Sequence, residues 1–163
     1  MKRTLFLVRH AKSSWDDAAL PDKERPLADR GKRDAPMMGK RLAKRQVKPD
    51  LILSSPARRA LSTAEIIAKE LNYRAESIVV DDRLYATEAE TLLGVIGELS
   101  DKLKCVMLFG HNPEFTDLAH RLSNEPAFMP TCAVAQLTFE STSWSSIGST
   151  KPAEVLFDYP KKG

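Results

Sequence analysis

Leu5-Phe6-Leu7-Val8-Arg9-His10 is the stretch on which the reading of this chain turns. An unbroken apolar run from Leu5 to Val8, with no polar alternation, marks a strand buried on both faces, as in the parallel sheets of α/β proteins. The run stops abruptly at an arginine and a histidine. Moving outward along the chain, the same punctuation returns. Leu51-Ile52-Leu53 closes in Ser54-Ser55-Pro56 and is followed by Arg58-Arg59, while Cys105 to Phe109 closes in Gly110-His111-Asn112-Pro113. Ile78-Val79-Val80 reads as a further strand.

Helical spacing fills the intervals. Ala35, Met38 and Leu42 recur on one face between about Asp29 and Arg45, with Pro36 tolerable near a helix start or at a kink. Ser55 reads as the cap of a second helix with Pro56 as its first residue, and Ala57, Ala60, Leu61, Ala64, Ala68 and Leu71 supply its apolar face. Leu92, Leu93, Ile96 and Leu99 mark a third helix, and Glu114 to Leu122 a fourth. The tail differs: Val134 to Phe139 and Glu154 to Phe157 read as strands around a Ser/Thr-rich turn region from Trp144 to Thr150. Strands alternating with helices predict an α/β three-layer sandwich. Its central sheet is expected to be mainly parallel and flanked by helices, with antiparallel edge strands added by the tail.

A length of 163 residues fits one domain, 1–163, with a core large enough to dispense with metal or disulfide staples. The net charge of +3 is modest, and no stripe of interleaved basic and aromatic residues points to nucleic acid. The basic run Lys40, Arg41, Lys44, Arg45, Lys48 reads as a solvated helix face. Cys105 and Cys132 lack metal-ligand spacing and border apolar runs, so both are expected to be buried, reduced thiols. The N-terminus is charged and then apolar, but Leu5 to Val8 is too short for a signal-peptide core, and no stretch is long enough to span a membrane. A cytoplasmic protein is expected.

In open parallel sheets ligands bind outside the carboxyl ends of the strands. Arg9, His10, Arg58 or Arg59, and His111 should therefore gather at one edge. Arginine forks suit oxyanions with several oxygens to hold. A neutral imidazole can attack phosphorus, and a second can stabilise the equatorial oxygens as charge shifts. Phosphoryl transfer asks mainly for positioning and electrostatics, so such a set needs neither metal nor cofactor. Nearby positive charge would keep His10 unprotonated and nucleophilic. Arg58 and Arg59 are adjacent on a helix, so only one is expected to enter the site. His120, without a partner motif, reads as an ordinary helix residue.

Motif by motif, the chain resembles the histidine phosphatase superfamily, the phosphoglycerate mutase-like group. Leu7-Val8-Arg9-His10-Ala11 resembles its Arg-His-Gly/Ala signature, and Ser55-Pro56-Ala57-Arg58-Arg59-Ala60-Leu61-Ser62-Thr63-Ala64 its Ser-x-x-x-Arg-Ala-x-x-Thr-Ala segment. Gly110-His111-Asn112-Pro113 resembles the third motif. The likeness implies that His10 accepts the phosphoryl group, that Arg59 and not Arg58 holds it alongside Arg9, and that His111 is the second catalytic histidine. Arg25-Pro26-Leu27 with Gly31 is similar to a segment of SixA-type phosphohistidine phosphatases, implying that Arg25 also approaches the phosphate. Two departures stand out. Ala28 occupies the place of a Ser or Thr helix cap, and Leu84-Tyr85-Ala86 offers no acid where larger relatives carry Leu-x-Glu. Glu88 and Glu90 are the nearby candidates for a general acid, although early helix carboxylates also answer the helix dipole.

Since an ester leaving group gains about 10²–10⁴ in rate from a proton donor and an N–P bond to imidazole needs one less, the missing acid favours phosphohistidine as substrate. The resemblance thus implies a phosphohistidine-bearing protein partner, such as a histidine phosphotransfer domain. Two other readings stand beside it: a small-molecule phosphomonoesterase of the same superfamily, and a non-catalytic module that binds phosphoproteins.

Overall fold

The structure, a computed structural model, describes residues 1–125 and 128–162. Its sheet has six strands, β1 (Lys2–Arg9), β2 (Leu51–Ser54), β3 (Val79–Val80), β4 (Cys105–Gly110), β5 (Val134–Glu140) and β6 (Glu154–Asp158). Their order across the sheet is β3-β2-β4-β1-β5-β6. β1 to β4 are mutually parallel, whereas β5 and β6 join antiparallel at one side. The helices are α1 (Asp29–Lys44), α2 (Arg58–Glu70), α3 (Ala89–Gly97) and α4 (Glu114–Ser123). The expected mainly parallel sandwich with an antiparallel tail is what forms.

The sheet buries both faces, which is why β1 is apolar without interruption. Leu5 and Leu7 face a core built with α3, α4 and the turn carrying Trp144. Phe6 and Val8 face the opposite core under α1 and α2. Each such side chain, once fully buried, contributes about 1.5–3 kcal/mol. Both layers clamp β1 and β4 at the centre, and the rigid strand ends they create support the loops of the site.

Local structure departs from expectation at several points. α2 begins at Arg58 with Ala57 at its cap position, two residues later than the Ser-Pro signal indicated. Pro36 lies inside α1, which continues through it. β3 spans only Val79–Val80, both exposed at the sheet edge. Cys105 is half-buried, unlike the buried Cys132. Within the basic run, Arg41 is not simply solvated: its guanidinium donates to Asp158 Oδ1 at 3.1 Å and to the carbonyls of Tyr159 and Pro160, fastening the C-terminal segment to α1. Ala28 does stand at the N-cap of α1 with no side-chain cap bond.

Candidate active site

Register brings the two histidines together. Arg9 pairs with Gly110 in the parallel β1–β4 ladder, and the His10 amide continues it by donating to the Gly110 carbonyl at 3.0 Å. His10 and His111 are therefore successors on neighbouring strands, and their ring centroids lie 5.2 Å apart. The chain can make this turn because position 110 has no side chain: a Cβ there would sit 2.5 Å from the Phe115 ring. Ser55 follows β2 and reaches the same place.

Each motif residue has a mechanical role. His10 Nδ1 lies 2.7 Å from the Ala11 carbonyl, which can only accept, so Nδ1 carries the proton and Nε2 keeps its lone pair. The Ala11 amide donates to Thr63 Oγ1 at 3.0 Å, and that hydroxyl donates to the Arg59 carbonyl, coupling the turn after β1 to the first turns of α2. Gly31 allows α1 to start against the Lys12 carbonyl, which a Cβ would approach to 2.3 Å. Asn112 accepts from the Thr116 amide and hydroxyl at the start of α4 and donates to the Met129 carbonyl, fixing the turn after His111.

Ser55 Oγ, instead of capping a helix, lies 2.8 Å from His111 Nε2 and also accepts the Ala57 amide. His111 Nδ1 is buried and has no hydrogen-bond partner among the described residues. The Tyr85 ring stands edge-on to His111 at 5.5 Å.

Positive charge surrounds the imidazoles. Burial lowers the His10 pKa to about 3, with His111, Arg59 and Arg9 adding to the shift against the opposing Ala11 bond. Burial and Arg59 likewise bring His111 to about 4, with Asp22 opposing. Arg9 is itself pushed below its ordinary value by burial and by Arg59. Both imidazoles are thus neutral at physiological pH, while the guanidiniums around them remain charged.

Sequence reasoning passed over the group that partly offsets this charge. Asp22 sits in the loop after β1, with its side chain half exposed. Its Oδ2 accepts from Arg59 at 3.0 Å and from the Tyr85 hydroxyl at 2.5 Å, its Oδ1 accepts from Arg25 at 3.1 Å, and its carbonyl accepts a second Arg59 N–H at 2.8 Å. The Tyr85 bond and the two arginines hold this carboxyl near 2. Its only sequence signal was an acidic residue three positions before Arg25.

The candidates taken from the sequence divide accordingly. The structure places His10, His111, Arg9 and Arg59 together, with Arg59 buried and Arg58 exposed. Arg25 joins through Asp22 and is otherwise held by Ser13 Oγ and the Ser14 carbonyl. Glu88 is exposed at the cap position of α3, and Glu90 pairs with Arg121. His120 is exposed on α4. A buried carboxyl that the sequence did not single out, Glu114, begins α4, with its pKa raised by burial and its carboxylate meeting the Thr87 backbone. Among the described residues no group of three or more His, Cys, Asp or Glu is disposed to hold a metal ion, and no helix is long and apolar enough to cross a membrane.

The sequence and the fold also match known proteins. The profile of the histidine phosphatase superfamily, branch 1, matches residues 5–96. An uncharacterised chloroplastic protein of Arabidopsis thaliana is 32% identical over 152 residues, covering 88% of this chain and 70% of its own. A crystal structure from Agrobacterium tumefaciens, provisionally assigned as phosphohistidine phosphatase SixA, is 28% identical with a TM-score of 0.80, over 94% of this chain and 97% of its own. A similarly assigned structure from Nakamurella multipartitia has a TM-score of 0.83 at 21% identity over 98% and 97% of the two chains, and shows the shared fold.

Proposed function

The chain belongs to branch 1 of the histidine phosphatase superfamily, and on that premise we propose that it is a phosphatase that removes phosphate from phosphohistidine on a partner protein through a covalent phospho-His10 intermediate. The observation carrying this reading is the pinning of His10 Nδ1 by the Ala11 carbonyl, 2.7 Å away, which aims a free Nε2 lone pair into a pocket of arginines. Nε2 attacks phosphorus, the N–P bond of the substrate breaks, and the electron pair leaves with the substrate imidazole, which takes up a proton. Arg9 and Arg59 hold the equatorial oxygens. With Ser55 donating to Nε2 of His111, the proton of that imidazole lies on the unpartnered Nδ1, ready to donate to a phosphoryl oxygen. Water then attacks phospho-His10, releasing inorganic phosphate and restoring the neutral imidazole.

Phosphohistidine is the substrate that this arrangement favours. Ala86 stands where larger relatives carry the acid that serves an ester leaving group, and the hydroxyl of its neighbour Tyr85 is committed to Asp22. Action in the cytoplasm on a histidine phosphotransfer domain accords with this chemistry.

A second reading, hydrolysis of a small phosphate ester, is favoured by one observation: the buried Glu114, its pKa raised by burial, meets the segment after Tyr85, at the Thr87 backbone. The test compares initial rates on a phosphorylated histidine phosphotransfer protein and on a panel of phosphate esters, for wild type and His10→Ala. Rapid turnover of the phosphoprotein, a loss of about 10³-fold or more in the variant, and acid-labile label on wild type alone are expected. A marked preference for the esters overturns the protein substrate. Absence of acid-labile phosphate on wild-type protein, under conditions where His10→Ala still binds phosphate, overturns the catalytic mechanism in favour of a binding module.

A further inference from the structure

We propose that Trp15 and Phe128 form an aromatic rim at the mouth of the site that docks the protein surface surrounding a phosphorylated histidine; the inference rests on the substrate reading above. Large apolar residues exposed on the described part of the molecule are Met1, Trp15, Val79, Val80, Phe128 and Leu156. Met1 is the first residue, Val79 and Val80 lie on edge strand β3, and Leu156 on edge strand β6. Trp15 and Phe128 have no such placement to explain them. They come from segments far apart in sequence, and each lies against a guanidinium of the site.

The Arg25 guanidinium carbon sits 3.3 Å from the Trp15 ring centroid, and that of Arg9 sits 5.8 Å from the Phe128 centroid. Both rings remain largely in solvent, 69% and 59% exposed. A ring with one face on a cation is held in place without being buried, so its remaining surface is displayed. Scattered single aromatics on a surface call for no explanation, but two mounted on arginines of one site do.

The mounts are firm. The Ser14 amide donates to the Pro26 carbonyl at 2.8 Å and its carbonyl accepts Arg25 Nε at 3.1 Å, fixing the backbone just before Trp15. After Phe128, Met129 is buried, its amide donates to Thr116, and its carbonyl accepts from both Arg9 and Asn112. Rigid aromatic groups lose little entropy on binding, which is why tryptophan is frequent among interface residues that dominate affinity.

Charge and shape identify the occupant as a protein. Arg9, Arg25 and Lys23, the last 5.1 Å from the Tyr85 ring centroid, suit the phosphoryl group, and the exposed carboxylates of Asp16, Asp17, Asp22 and Glu24 beside them suit basic residues of a protein surface. A small-molecule site is typically a concave pocket that encloses its ligand in apolar walls. Trp15 and Phe128 do not wall in the histidines in this way, since both rings lie largely in solvent. The aromatic surface is turned outward instead, where a ligand no larger than phosphate would leave it unused.

The experiment measures kcat/KM of wild type and of the Trp15→Ser/Phe128→Ser double variant on a phosphorylated histidine phosphotransfer protein and on free phosphohistidine. The variant is expected to lose about tenfold or more on the protein, mainly through KM, while staying within about twofold on the free amino acid. Trp15→Phe in the otherwise wild-type chain should retain most of the activity on the protein. Equal losses on both substrates would mean that the rings merely prop Arg9 and Arg25, and unchanged activity on the protein would mean that they touch nothing; either overturns the rim. Light scattering supplies a further arm, since a wild-type dimer that the double variant dissolves would identify the occupant as a second copy of this chain and likewise overturn the proposal. Wild type inactive on both substrates would instead remove the substrate reading on which the rim depends.

Discussion

Strand β1 carries an arginine near each end, and the two ends have opposite fates. Arg3, at the start, is buried and donates to the carbonyls of Ser141, at 2.5 Å, and Asp101. Arg9, at the finish, gives one N–H to the Met129 carbonyl and otherwise faces a second cation, Arg59, and two neutral imidazoles. Backbone oxygen answers the first arginine within the fold. The second is answered only in part, by the half-exposed Asp22 through Arg59. One residue type at two ends of one strand thus becomes a rivet at one and an anion receptor at the other. The difference lies in whether the protein supplies acceptor oxygens to the guanidinium or leaves most of them to a ligand.

Substitution at each end is the direct way to break this contrast. Arg9→Met should lower kcat/KM by about 10²–10³, as removal of one preorganised oxyanion donor does, with thermal stability held or slightly raised because a half-buried like-charge contact disappears. Steady-state kinetics beside a melting curve reads both. Loss of stability without loss of rate would show Arg9 to be a rivet as well.

Arg3→Met should do the reverse. Activity per folded molecule stays unchanged, while unfolding in urea becomes easier by about 1–3 kcal/mol, because buried carbonyls lose their donor. A drop in kcat/KM with unaltered stability would reverse the assignment of the two ends.

A smaller effect concerns the imidazoles. Their pKa values are lower in the folded chain, about 3 and about 4, than the ordinary 6.5, so the unfolded chain binds more protons between these limits. Stability is then fully present above about pH 6.5 and is lost as pH falls toward the folded values. Between pH 7 and pH 6 the loss is about 0.7 kcal/mol for each histidine. Urea midpoints across this range should slope accordingly and flatten in a His10→Gln/His111→Gln variant; an equal slope in the variant would place the imidazoles in water rather than in a dry, cationic pocket.

Strand ends, and the chemistry at them, were open to local reading. Uninterrupted apolar runs specify strands buried on both faces, and a polar residue can follow such a run only where the sheet ends. That logic places Arg9, His10 and His111 at strand ends from the sequence alone. Ser55 shows its limit. Ser-Pro before an apolar helical pattern is a sound cap signal, yet α2 starts later and the hydroxyl serves a histidine 56 residues away. Thr63 belongs to a motif legible in the sequence, but that its hydroxyl holds the Ala11 amide is not.

By itself, the sequence determined the alternation of elements, the buried sheet and the residue types at the carboxyl ends of its strands, because periodicity and turn chemistry are properties of neighbouring residues. Only the tertiary structure decided which ring nitrogen of His10 carries the proton, that Asp22 bridges two arginines, and that Tyr85 closes over that bridge. Those outcomes depend on strand register and on loops meeting across long separations. Hydrogen-bond direction and local charge are set by whatever atoms arrive there, and no spacing along the chain records their arrival.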